Sequence, residues 1–282
     1  MAGDGYAKPA LVTTEWLAEH LGDDGVVVAE VDENPDLYDE GHIPGSIKLH
    51  WREDLQDPVE RDLIDKQAFE QLMGRSGISN DTAVVLYGDR NNWFAAYAYW
   101  YLKIYGHEDV RILDGGRQKW IDENRDLSTD APTVQATGYT AKDRDESIRI
   151  YRDEVRDSIG GAGELVDVRS PQEFAGELVS PPGYEQEGAQ RAGHIPTAKS
   201  IPWAQAVRDD GTFKAADELR ELYGAKGVTP DKPVVAYCRI GERSAHTWFV
   251  LRELLGYGDV KNYDGSWTEW GNLVDVPIEK GS

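Results

Sequence analysis

Short apolar runs rich in valine recur along the chain, each followed by a longer stretch whose apolar positions come round at helical spacing. VVVAEVD at 26–32, ELVDVRS at 164–170 and PVVAY at 233–237 are short, and read as strands buried within a sheet. SAHTWFVLRELL at 244–255 keeps Trp248, Val250, Leu251 and Leu254 on one face, with Arg252 and Glu253 outside it, and predicts a helix beginning near Ser244. Strands alternating with helices predict the α/β class, with parallel sheets covered by helices on both faces.

The same pattern occurs twice. Residues 84–120 (VVLYGDRNNWFAAYAYWYLKIYGHEDVRILDGGRQKW) match residues 234–270 (VVAYCRIGERSAHTWFVLRELLGYGDVKNYDGSWTEW) at a constant offset, and GHIP at 41–44 recurs at 193–196. The second copy carries an additional Gly/Pro-rich segment, LVSPPGYEQEGAQRA, before its GHIP. Two tandem domains are expected, at 1–137 and 149–282. The polar joint TDAPTVQATGYTAKDRDES, with no apolar period, supplies a linker at 138–148.

Composition narrows the function. Nine Trp, fourteen Tyr and a hydrophobic fraction of 40% in 282 residues describe a packed protein. A net charge of −22, spread along the chain, argues against nucleic acid and anionic membrane as partners, and such an acidic, halophilic-type surface suits high salt. No apolar run is long enough to span a membrane, and MAGDGYAKPALVTTEW lacks the regions of a signal peptide, so a soluble cytoplasmic protein is expected.

The chain's one cysteine, Cys238, stands in YCRIGERSAH between the last valine-rich strand and the following helix. That turn lies at the carboxyl end of the sheet, where ligands bind in open α/β folds. Backbone N–H groups of the turn and of the helix start form an anion cup, Gly241 frees its dihedrals, and Arg239 and Arg243 add positive potential. The thiol is expected to ionise below its ordinary value, and Glu242 to point outward. A thiolate in an anion cup can attack phosphorus, as in cysteine phosphatases and arsenate reductases, or the outer sulfur of an anionic donor. Only four residues separate Cys238 from Arg243 where phosphatase loops have five, which favours sulfur. One cysteine can form neither an internal disulfide nor a cysteine-rich metal site, and the many acidic pairs read as solvated surface with no metal role.

GHIP in both halves, the CRIGERS loop and DGSWTEW at 264–270 together resemble the two-domain thiosulfate sulfurtransferases, or rhodaneses, over nearly the whole chain. The resemblance implies two tandem rhodanese-like domains and a ping-pong reaction, with no metal or organic cofactor. Cys238 takes the sulfane sulfur of thiosulfate, and the persulfide passes it to cyanide, to another thiophile or to a thioredoxin-like protein. It implies a non-catalytic first domain, since Gly88 and Asp89 stand where the second has Cys238 and Arg239. Arg169, in VDVRS, falls where the family has an arginine contacting the donor, so the expected substrate-binding set is Arg169, Arg239, Gly241, Arg243 and Ser244. Ile240 replaces a lysine of the animal enzymes, leaving the arginines to supply charge. Arg239 favours compact thiosulfate over 3-mercaptopyruvate, whose enzymes typically have Gly and Ser after the cysteine. Mercaptopyruvate transfer, phosphatase chemistry and a non-catalytic sulfur carrier stand as alternatives. His42 and His194 are expected to be architectural, His246 to pack or hydrogen-bond within the fold, and Trp270 to lie in the core, with Trp267 left open as a pocket wall.

Overall fold

A computed structural model describes residues 5–185 and 188–281. Gln186 and Glu187, within the segment peculiar to the second copy, lie outside the described residues. The chain forms two compact units. One comprises 9–145 and 208–213, the other 146–207 and 214–281 with the described N-terminal residues through Lys8.

In the first unit, β1 (Leu11–Val12), β2 (Val26–Glu30), β3 (Ile47–Lys48), β4 (Ala83–Tyr87) and β5 (Val110–Leu113) make a parallel sheet of order β1-β5-β4-β2-β3. Helices α1 (Thr14–His20), α2 (Leu37–Glu40), α3 (Lys66–Arg75), α4 (Asp89–Ile104) and α5 (Gly116–Asp122) alternate with the strands. The second unit has α6 (Arg152–Ser158), β6 (Glu164–Asp167), α7 (Pro171–Ala175), β7 (Lys199–Ser200), α8 (Ala216–Gly224), β8 (Val234–Tyr237), α9 (Glu242–Phe249), β9 (Val260–Tyr263) and α10 (Ser266–Trp270). Its parallel sheet runs β7-β6-β8-β9. A single parallel bridge, Arg149 to Asn262, occupies the place where β1 pairs with β5 through Leu11 and Ile112. The second copy thus keeps one rung of a fifth strand.

Both valine-rich central strands are buried over most of their length, as parallel strands between helical layers must be. Every residue of α9 is buried as well. The helix that follows the cysteine is therefore held on all sides, and its first turn is placed by the core. Residues 129–145 have no helix or strand and run along the first unit, with the Thr137 amide donating to Gly74 O at 2.9 Å and the Lys142 amide to Tyr105 O at 3.0 Å.

The two GHIP turns are built alike. His42 stacks on Tyr38 at 3.9 Å and bonds to its carbonyl, while His194 stacks on Phe174 at 3.7 Å and bonds to its carbonyl. The tyrosine that ends each central strand fastens the turn: Tyr87 OH accepts from the Ile43 amide at 2.9 Å, Tyr237 OH from the Ile195 amide at 3.1 Å. Both histidines act on architecture, and their hydrogen bonds explain why the motif recurs in a copy without a nucleophile.

Candidate active site

Strand β8 delivers Cys238 to the carboxyl end of its sheet with no exposed surface. Gly241 follows at φ +104°, a conformation that favours glycine, and a Cβ there would lie 2.8 Å from Asp264 Cα. This left-handed residue lets α9 begin at Glu242, two residues before the expected start at Ser244. Side chains of a first helical turn lean back toward the N-terminus. Glu242 consequently turns inward, contrary to expectation, and its Oε2 lies 3.2 Å from Cys238 Sγ, accepting from the thiol.

Further groups fix the sulfur and its backbone. The Gly241 amide donates to Sγ at 3.2 Å. The Ser244 hydroxyl lies 3.6 Å from Sγ, 3.1 Å from Gly241 O and 2.6 Å from Asn262 Oδ1, so its one proton is shared among three acceptors. Behind them, Ser266 Oγ accepts the Cys238 amide at 3.0 Å and donates to Tyr263 O at 2.6 Å. The Trp267 amide donates to Cys238 O, and the Thr268 amide to Arg239 O, each at 3.0 Å. DGSWTEW is thus the backing of the cysteine turn.

The charges are arranged differently from the expected open cationic cup. Burial, then Glu242, push the Cys238 thiol above its ordinary value, with Arg243 and Ser244 pulling the other way. The expected lowering is therefore reversed in this closed state. Arg243 is bonded through both terminal nitrogens to Glu173, at 3.1 and 3.2 Å, and its Nε lies 3.6 Å from Glu242 Oε1. Arg239 Nη2 lies 3.7 Å from Glu242 Oε1, and its guanidinium sits 4.2 Å from the centre of the Tyr184 ring. Burial opposes the charge on Glu173, but Arg243 and the Ser170 amide outweigh it and hold the carboxyl below its usual range. Both arginines are in the turn as expected, each already facing a carboxylate.

Arg169, expected to contact the donor, is held by partners within the fold. Its Nη2 meets Asp167 Oδ2 at 2.6 Å and Gly193 O at 2.7 Å, and the guanidinium lies 4.3 Å from the Trp267 ring centre. In the first unit Arg117 does the same work from another chain position, joining Glu30 at 2.9 Å to the Gly41 carbonyl. Each copy therefore uses an arginine to tie a strand-end carboxylate to the GHIP glycine. None of the described hydrogen bonds or ion pairs of Arg169 joins it to Cys238; its Nη1 is the one nitrogen without a hydrogen-bond partner among the described residues.

The matching place in the first unit admits no side chain. A Cβ on Gly88 would come 2.1 Å from Val31 O, and the Gly88 amide donates to Asn92, the counterpart of Glu242, at 3.0 Å. Asp32, beside the turn, is pushed up to about 9 by burial and by Glu30 and Asp89. The counterpart turn is acidic and closed.

His246 is fully buried, edge-on to Trp203 at 5.2 Å, and burial pushes its imidazole down to about 3, so it stays neutral. Trp270 lies in the core, as does Trp267, whose Nε1 bonds to Arg191 O at 2.9 Å. Sequence reasoning missed Glu173, Asn262 and Tyr184, and misjudged Glu242. The signal for Glu173 was present, because Ser170-Pro-Gln-Glu173 is a capping box and both partners close it. Among the described residues no group of three or more His, Cys, Asp or Glu is placed to hold a metal ion, and no helix is long and apolar enough to cross a membrane.

Two repeated α/β units, one with a buried cysteine at the head of a helix and one with glycine in its place, define a tandem-domain α/β protein with a cysteine site in its second unit. The chain belongs to the rhodanese family: the rhodanese-like domain matches residues 13–123 and 151–273. It is 62% identical to "Sulfur carrier protein TtuD" of Thermus thermophilus, over 98% of this chain and 99% of that one. It is 60% identical to a protein of Saccharopolyspora erythraea named "Putative thiosulfate sulfurtransferase", over 96% of each. Among solved structures, a variant of EanB with ergothioneine covalently linked to a persulfide cysteine has a TM-score of 0.82 at 28% identity, covering 97% of this chain and 70% of that one.

Proposed function

We propose that this protein is a thiosulfate sulfurtransferase in which Cys238 carries the sulfane sulfur as a persulfide and passes it to cyanide or another thiophilic acceptor. The observation that carries the reading is the chain's only cysteine, buried at the foot of α9 with the Gly241 amide on its sulfur and with Arg239 and Arg243 in the same turn. The Cys238 thiolate attacks the outer sulfur of thiosulfate. A new sulfur–sulfur bond forms, the old one breaks, and its electron pair leaves on sulfite. The acceptor then attacks the outer sulfur of the persulfide, and the electron pair of that bond returns to Sγ. Gly241, Ser244 and the start of α9 hold the anionic sulfur in both forms. Arg239 and Arg243, once turned from Glu242 and Glu173, meet the sulfonate oxygens, and a second arginine beside so compact a dianion favours thiosulfate over 3-mercaptopyruvate. The domain at 149–282 performs the chemistry in the cytoplasm, and that at 1–137 is its non-catalytic partner.

Intact mass after incubation with thiosulfate tests this. The wild type should gain about one sulfur atom (~32 Da) and lose it to cyanide with release of thiocyanate, and Cys238→Ser should gain none. No gain on the folded wild type from thiosulfate would overturn the donor assignment, and a gain from 3-mercaptopyruvate alone would replace it. The likeness to a protein named as a sulfur carrier favours a second reading. In that case the persulfide forms once, resists cyanide and is discharged only to a protein acceptor such as a thioredoxin-like dithiol.

A further inference from the structure

Moving the outer sulfur of thiosulfate to the cyanide anion gives sulfite and thiocyanate and leaves no proton over. Yet the resting Sγ donates its hydrogen to Glu242, so that proton has to leave before the sulfur works as thiolate and persulfide, and a store beside it would spare its loss to water. We infer that Glu242 is the store: its Oε2 takes the proton of Cys238 and keeps it through both half-reactions. The inference rests on the reading of Cys238 as the nucleophile.

Geometry supports it first. Oε2 lies 3.2 Å from Sγ, the carboxylate is 1% exposed, and the two residues are fixed one helical turn apart by Gly241. Transfer breaks the Sγ–H bond and forms an Oε2–H bond. The negative charge moves from carboxylate to sulfur, and the net charge of the buried cluster does not change. No ion has to be brought out of water, which is the costly step in a site this dry.

The neighbouring charges supply a trigger. Glu242 Oε1 faces Arg239 at 3.7 Å and Arg243 at 3.6 Å. Glu173 in α7 stands behind Arg243, and Asp264, against Gly241, is held by Arg149 at 2.9 Å. His246, further along α9, is kept neutral by burial. A donor dianion that draws Arg239 and Arg243 onto its sulfonate oxygens takes both cations away from Glu242 Oε1 and leaves the carboxylate to accept the thiol proton when a thiolate is needed. Protonated, Glu242 no longer repels the donor. The first unit offers a control: where Gly88 replaces the cysteine, the amide Asn92 replaces the carboxylate and only accepts the Gly88 amide and donates to Leu113 O.

Alkylation of Cys238 by iodoacetamide, a neutral reagent that needs no sulfur donor, reads the proton transfer directly. Wild-type rates should stay flat between about pH 6 and 8, because the carboxylate removes the proton in place. Glu242→Gln should react at least ~100-fold more slowly at neutral pH, with a rate rising about tenfold per pH unit. Glu242→Asp, which keeps a shorter base, should retain the flat profile at an intermediate rate. Sulfite release in a single turnover with thiosulfate should follow the same order. A Glu242→Gln rate equal to or above wild type would overturn the inference, because it would mean that the carboxylate only holds the thiol protonated. A sloping Glu242→Asp profile would overturn it too, and decides the matter if Glu242→Gln fails to fold. A wild type that alkylates as expected but gains no sulfur from any donor would instead refute the sulfurtransferase reading and leave the role of Glu242 judged on its own.

Discussion

Ser266 accepts the amide hydrogen of Cys238 at 3.0 Å while standing in the left-handed region at φ +52°. Its counterpart in the first unit, Gly116, has the same backbone sign at φ +60° and no hydroxyl. Where there is a cysteine to hold, the chain accepts strain that a glycine would avoid. Ser266→Ala should keep the strain and leave a buried amide without a partner, a loss of ~1–3 kcal/mol. Ser266→Gly loses the same bond but relieves about 1 kcal/mol of backbone strain, and should fall between Ala and wild type. Urea unfolding of the three proteins checks the order; an Ala variant as stable as wild type would mean that the hydroxyl does not hold the turn.

Arg169 and Asp167 form a fully buried ion pair. Removing one partner strands the other charge, so Arg169→Met should cost ~3–5 kcal/mol, and Asp167→Asn combined with Arg169→Met should restore most of it. The double variant also separates two roles. If its KM for thiosulfate matches wild type, Arg169 serves the fold alone; a KM raised tenfold or more would assign the unpaired Nη1 to the donor.

Much of this architecture was legible in the sequence because it is local or repeated. Valine runs gave the central strands, the constant offset between VVLYGDR and VVAYCRI gave the duplication, and a cysteine after a buried strand marked the sheet edge where ligands bind. Glu242 was misread for a long-range reason. Its direction depends on α9 starting at Glu242, and Gly241 and Asp264, from different elements, meet to fix that start. The arginines were read as free charge, although Glu173, from α7, had already claimed Arg243 across the fold and Asp167, two residues away, had claimed Arg169. Periodicity reports which face a residue takes and is silent on which acid it will meet.

His246 carries a pH dependence whose sign follows from burial. Its folded value, about 3, lies below that of an unfolded histidine near 6.5, so the unfolded chain binds the proton first. The stability it contributes is complete above about pH 6.5 and is lost as pH falls toward 3, by about 1.4 kcal/mol per unit. His246→Phe, which keeps a ring against Trp203, should unfold in urea with a visibly shallower dependence between about pH 6.5 and 4. Parallel curves for the two proteins would show that this histidine is already protonated in the fold.

Arg243 has two obligations, and a single substitution confounds them. The sequence alone suggests that Arg243→Ala would spoil thiosulfate use and spare stability. The structure predicts that both fail, because Glu173, 1% exposed, would be left charged and unpaired at a cost of ~3–5 kcal/mol. Glu173→Gln combined with Arg243→Met removes both charges while Gln can still accept the Ser170 amide, and should unfold within about 2 kcal/mol of wild type. That repaired protein isolates the question of chemistry. If Arg243 grips the sulfonate once it leaves Glu173, the KM for thiosulfate should rise at least ~10-fold in a thiocyanate assay, the loss of about one charged hydrogen bond. An unchanged KM in a stable double variant would leave Arg239 as the cation of the cup and make Arg243 a strut between α9 and α7.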